Sequence, residues 1–152
     1  MTLLTRAEAV AAALSWKGTP YVTRGRLKGA GCDCGTLLAE YLIEIGAVPE
    51  IELPYYRQDW FCHTSDQIYA RHLMKYAAEI AGGICCGDAQ SQPGNIVLFR
   101  AVGSERFNHG AIVVRWPRIV HAVYSGVTES DATQHALTGF KAYALFDPWS
   151  RA

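Results

Sequence analysis

Hydrophobic positions change their spacing near residue 94, and that change separates predicted helices from predicted strands. Thr5-Arg6-Ala7-Glu8 has the T-x-x-E form of a capping box. The alanine-rich stretch after it runs to Trp16 and Lys17 before Gly18, which predicts a first helix. Gly18-Thr19-Pro20-Tyr21 then turns the chain, and the polar, glycine-bearing stretch to Gly31 reads as a loop. Leu37, Leu38, Tyr41, Leu42 and Ile45 fall on one face of a helical period. Asp33 is the cap of this second helix, Cys34 its start, and Gly46 followed by Pro49 its stop. Residues 47–62 predict a long ordered loop in which Tyr55, Tyr56, Trp60 and Phe61 are chiefly structural. Thr64 or Ser65 suits the cap of a further helix through Ile80, ended by Gly82-Gly83.

Beyond a turn-rich stretch at 85–94, the runs Asn95–Ala101, Gly110–Val114, Arg118–Tyr124 and Phe140–Phe146 are short and rich in Val, Ile, Phe and Tyr. They predict strands of one antiparallel sheet, with Glu129 and Asp131 in a solvated loop. Helices first and strands afterwards make an α+β fold. With no internal repeat or linker, the 152 residues predict a single domain, 1–152.

Composition mostly excludes. Half of the residues are hydrophobic and 18% are charged, which fits a globular chain and not a disordered one. Fourteen basic and fourteen acidic residues cancel, so nothing in the net charge draws the chain to nucleic acid or an anionic membrane. No run reaches the length of a membrane span, and the N-terminus has no charged-then-apolar leader, so synthesis in the cytoplasm without a secretion signal is expected. Five cysteines (Cys32, Cys34, Cys62, Cys85 and Cys86) are an odd number, better suited to free thiols than to a disulfide framework. Cys32-x-Cys34, Cys85-Cys86 and Cys62-His63 do not have the spacing of a zinc site, so no metal is expected.

The candidate chemistry lies in Asp33-Cys34-Gly35 and in two distant histidines, His109 and His121. A thiol at a helix N-terminus is favoured as thiolate by the exposed N–H groups and the positive helix end. A histidine could serve as its base and a second polar group could orient that base. The hairpin between the histidines decides whether they cooperate. A three-residue loop, Arg115-Trp116-Pro117, would pair Val114 with Arg118 and Ala111 with His121, placing both histidines on one face. A two-residue loop would place them on opposite faces. Tyr21, beside a proline turn, either covers the core or offers its hydroxyl to the oxyanion.

The succession Gly18-Thr19-Pro20-Tyr21, Asp33-Cys34-Gly35, Pro93–Phe99, His109-Gly110 and His121-Ala122 resembles NlpC-type cell-wall cysteine peptidases, which are papain-like enzymes of bacteria and phages. It is most similar to phage-encoded members, through Lys28-Gly29-Ala30-Gly31 and His121–Gly126. The resemblance implies a papain-like domain and cleavage of peptidoglycan stem peptides, typically between D-glutamate and a diamino acid. It further implies Cys34 as nucleophile, His109 as base, His121 as third polar residue, and Tyr21 and Asp33 on the substrate or oxyanion side. No cofactor is implied. Action at the wall, with peptidoglycan peptides and phage-tail or other assembly proteins as partners, completes the expectation. Gly35 in place of a serine, Cys32 in place of an apolar residue and Asn95 in place of an aspartate depart from the family pattern. Rival functions are a non-catalytic wall-binding or tail module, and an amidase, deamidase or acyltransferase with the same chemistry.

Overall fold

The capping box at the start of the chain forms as a reciprocal pair: Thr5 N–H donates to Glu8 Oε2 at 2.8 Å, and Glu8 N–H donates to Thr5 Oγ1 at 3.3 Å. Helix α1 follows over Arg6–Leu14. The computed structural model describes residues 2–58, 71, 73–83, 90–101, 107–133 and 140–151. The helix stops short of Lys17 because Ser15 Oγ donates back to Ala12 O, and Trp16 and Lys17 N–H reach only three residues back. Gly18 then takes a φ of +85° and donates its N–H to Val127 O across the fold.

The loop to residue 31 contains two short paired strands, β1 (Arg26–Leu27) and β2 (Gly31–Cys32). Two cations fasten this segment. Arg26 pairs with Glu40 and donates to Ile51 O, while Lys28 lies over the Trp16 ring and pairs with Glu44. Helix α2 spans Cys34–Glu44, and all five apolar stripe residues, Leu37 to Ile45, are buried. Gly46, at φ +80°, terminates it.

Among the described residues, six strands form one antiparallel sheet in the order β3-β8-β4-β5-β6-β7. They are β3 (Ala78–Gly83), β4 (Ile96–Ala101), β5 (Phe107–Arg115), β6 (Arg118–Val123), β7 (Gly126–Asp131) and β8 (Phe140–Asp147). Ile96, Leu98, Ile112, Val120 and Phe146 pack with α1 and α2 on one face, whereas Val97, Phe99, Ala111, Ile119 and Leu145 form a cluster on the other. The α+β class predicted from the sequence is the class observed.

Two assignments are corrected. The helix expected through Ile80 ends in a strand instead: residues 78–83 pair with β8, Gly82 opposite Ala144 and Gly83 opposite Tyr143. Ala and Glu favour helix locally, but β8 presents open backbone groups that must be paired, and β3 pairs them. Residues 59–70 and 72, where that helix was to begin, lie outside the described residues. The solvated loop at 129–131 is an edge strand, whose polarity reflects its half-exposed position. Glu129 is held by Lys17 at 3.2 Å and Arg118 at 3.0 Å. Asn95 Oδ1 accepts from Gln92 N–H at 2.7 Å, an acceptor role that an amide fills as an aspartate would.

Candidate active site

Asp33 stands at the N-cap of α2 with φ −112° and ψ −177°. Its Oδ1 accepts from Gly35 N–H and Thr36 N–H, both at 2.9 Å, and Asp33 N–H donates to Thr36 Oγ1 at 2.8 Å. The cap uses the N–H of Gly35, so a serine side chain there is not required. Cys34 is the first helical residue and is 8% exposed. That position gives its sulfur the exposed N–H groups and positive end of the helix.

The second carboxylate oxygen of Asp33 ties two loops to this helix start. Oδ2 accepts from Arg24 N–H at 2.7 Å and from the Tyr56 hydroxyl at 2.6 Å. Buried, and with donors on both oxygens, Asp33 acts as a scaffold for the helix and loops; the contact with substrate or oxyanion expected of it finds its oxygens already engaged. Burial, then the Asp33 charge, pushes the Tyr56 hydroxyl far up, so it remains a donor. Burial, then the charges of Cys34 and Asp33, push the Tyr21 hydroxyl up, so it stays protonated. Its ring tilts against the exposed Tyr124 at 5.2 Å between centroids. Cys32 is fully buried, and burial followed by Asp33 and Cys34 pushes its thiol up to about 12. It is a small protonated hydrophobe.

The histidines meet as expected, by a different turn. Ile112 pairs with Val120 and Val113 with Ile119, which is the predicted register, yet Arg115 pairs with Arg118 across the two-residue tip Trp116-Pro117. An irregularity at Val114 absorbs the missing loop residue and preserves the facing. His109 Nε2 lies 2.8 Å from His121 Nδ1, and His121 Nε2 lies 2.9 Å from Ser130 Oγ. Phe99 stacks on the His109 ring at 6.2 Å between centroids. Helix α2 packs tightly against this strand at Gly110, directly after His109: a Cβ there would meet Leu38 Cδ1 at 2.6 Å. Leu38 lies one turn beyond Cys34. Strand alternation and the 2.8 Å contact put the two imidazoles on one face of the β5–β6 pair.

Burial, then repulsion from His121, lowers the His109 pKa to about 3, and burial lowers His121 to about 4. Both rings are therefore neutral near pH 7, the form a general base requires. Unfolded imidazoles take up protons near pH 6.5, so below that pH the unfolded state binds more protons than the folded one. Stability is expected to fall as pH drops from 6.5 towards 3–4, by up to about 1.4 kcal/mol per pH unit for each ring that ionises only on unfolding. Urea midpoints at pH 7.5 and 5 check this. His121→Gln should flatten the dependence, and equal slopes for variant and wild type would count against it.

Ser130 and Tyr56 are site residues that sequence reasoning passed over. Recognising β7 as a strand would have put Ser130 on the His121 face, because His121 pairs with Thr128 two positions away. Cys62, His63, His72, Cys85, Cys86 and His135 lie outside the described residues.

No family model and no curated protein sequence matches the chain. Solved structures do. The NlpC/p60 domain of the peptidoglycan hydrolase SagA superposes with a TM-score of 0.58 at 16% identity, covering 93% of this chain and 98% of that one. An NLP/P60-family, lipoprotein-like protein of Staphylococcus aureus gives 0.60 at 19% identity, over 93% of this chain but 42% of its own. RipD of Mycobacterium tuberculosis, described as a non-catalytic NlpC/p60 domain protein adapted to peptidoglycan binding, gives 0.51 at 17% identity, over 93% and 96%. The chain has the NlpC/p60 fold, and it spans less than half the length of the staphylococcal protein.

Proposed function

We propose that this chain is an NlpC/p60-type cysteine endopeptidase that hydrolyses an amide bond in bacterial cell-wall stem peptides, between D-glutamate and a diamino acid. The observation that carries the reading is the neutral imidazole chain His109–His121–Ser130 across β5, β6 and β7, beginning on the strand that α2 abuts, with Cys34 opening that helix. Membership of the family, suggested by the shared fold and by the motifs around Tyr21, Cys34, His109 and His121, is part of the proposal.

In this reading His109 Nε2–H donates to His121 Nδ1, and His121 Nε2–H donates to Ser130 Oγ, leaving His109 Nδ1 as the basic nitrogen. That nitrogen takes the Cys34 proton as the sulfur attacks the amide carbon. The tetrahedral oxyanion is met by Cys34 N–H and the Tyr21 hydroxyl. The C–N bond then breaks, His109 returns the proton to the leaving amine, and water hydrolyses the thioester. The attack requires the thiol and the imidazole to meet around the start of β5, next to side-chain-free Gly110.

Ser130 orients the relay from its far end. Ser130→Ala is expected to lower kcat/KM about two- to tenfold, the worth of one hydrogen bond, with KM little changed. Ser130→Thr should recover the loss, and the kinetics of the three proteins check it.

RipD supplies the competing reading, a wall-binding module without catalysis. The presence of Cys34 alongside the His109–His121 pair, in that sequence order, favours the enzyme. Digestion of defined muropeptides, with new termini identified by mass spectrometry, tests it together with the rate of iodoacetamide labelling of each cysteine at neutral pH. Intact muropeptides and a Cys34 no faster than the other thiols would leave the binder. Turnover of a different amide beside intact muropeptides would move the substrate and keep the chemistry.

A further inference from the structure

Arg24 holds a backbone conformation that disfavours its side chain. Its φ is +62°, and it is the only non-glycine at positive φ among the described residues. An L side chain in that region is strained, and such strain persists only where the surroundings impose it. Asp33 imposes it here. The Arg24 N–H is fixed at 2.7 Å to Oδ2 of Asp33, the residue just before the nucleophile. A glycine would satisfy the same turn without strain, so the torsion alone gives no reason for arginine.

The side chain has two further peculiarities. Its guanidinium lies over the ring of Tyr55, 4.2 Å from the centroid, and that ring is 76% exposed. Neighbouring cations on the same loop are paired with carboxylates, Arg26 with Glu40 and Lys28 with Glu44. Arg24 has no carboxylate partner among the described residues. A guanidinium steadied by an aromatic ring keeps its fork of N–H donors for an oxyanion acceptor. The backbone tether to Asp33, the residue before Cys34, and the stack on the exposed Tyr55 together fix where this charge is held.

We propose that Arg24 is a specificity-determining residue that binds a carboxylate of the substrate beside the bond that Cys34 attacks, so that the site selects anionic peptides. This rests on the endopeptidase reading above. On the proposed stem peptide the carboxylate nearest the reacting carbonyl is the second carboxyl group of the glutamyl residue that supplies the acyl group. Arg24 binds that group as a forked, charge-assisted pair.

The experiment compares two synthetic L-alanyl-γ-D-glutamyl-L-lysine peptides, one with the glutamyl α-carboxylate free and one with it amidated. The wild type is expected to prefer the free acid in kcat/KM by on the order of tenfold or more, the range for a hydrogen bond to a charged group. Arg24→Asn, which tolerates the left-handed backbone, should bring the ratio near one by slowing the free acid alone, and Arg24→Lys should fall between. A melting temperature for Arg24→Asn at or above wild type shows that the loop is retained. A wild type that cleaves both peptides equally, or an Arg24→Asn variant that loses activity on both by the same factor, overturns the proposal. A wild type that cleaves neither peptide, nor any muropeptide, instead sinks the endopeptidase reading on which it rests.

Discussion

Cys34→Ala is expected to lower kcat on a muropeptide by on the order of 10⁴-fold or more, the scale seen when a covalent nucleophile is removed. That is about 5.5 kcal/mol of barrier, and the fold should survive it, since the change removes one sulfur at a residue already 8% exposed. The comparison that gives the result its meaning is Cys32→Ala, two residues away. Cys32 is fully buried with its thiol pushed up to about 12, so it is protonated at working pH and should contribute packing only. Activity should therefore separate the two thiols by several orders of magnitude while denaturant midpoints do not. His109→Ala should resemble Cys34→Ala, and the double variant should be no slower than either, because in the proposed mechanism the two act as one unit. Residual turnover by Cys34→Ala near the wild-type rate would remove the sulfur from the mechanism.

The second large effect concerns stability. Asp33→Ala removes the cap of α2, worth about 1 kcal/mol, and also strips the Tyr56 hydroxyl and Arg24 N–H of their acceptor. Each donor left unpaired in partly buried surroundings costs about 1–3 kcal/mol, so a total of about 3–7 kcal/mol is expected. Set against the typical 5–15 kcal/mol of a domain this size, that is a large fraction. Guanidinium unfolding followed by tryptophan fluorescence measures it. Thr36→Val, which loses the 2.8 Å acceptor for Asp33 N–H and the longer hydroxyl donations back to Asp33 but leaves the carboxylate's hold on the loops, should cost about 1 kcal/mol. If the two variants cost the same, the carboxylate's hold on the loops contributes nothing.

The histidine pair and the helix that carries the thiol were legible because each rests on a short-range rule. Asp33 before an apolar stripe announces a cap, and the stripe from Leu37 to Ile45 is the buried face observed. A spacing of twelve positions between two histidines, read with strand alternation, puts both rings on one face, as found. The turn itself was misjudged, since an irregularity at Val114 does the work assigned to a longer loop. What could not be read had causes distant in sequence. Ala78–Gly83 has the composition of a helix end and becomes a strand because β8 offers it partners. Ser130 is one more polar residue until β7 lies beside β6. The strain at Arg24 is a torsion set by a carboxylate nine positions on, and nothing in the letters Thr-Arg-Gly records it.

The tip of the β5–β6 hairpin limits how this chain can diverge. Inserting or deleting a single residue there would rotate every later side chain of β6 by half a turn, swinging His121 away from His109 and Val120 out of the core. Descendants are free to change the identity of Trp116, or to lengthen the tip two residues at a time. An odd change can survive only in company with another irregularity like that at Val114. The spacing between the rings is in effect a parity bit, and aligned homologues should keep it even where every other residue of the turn has drifted.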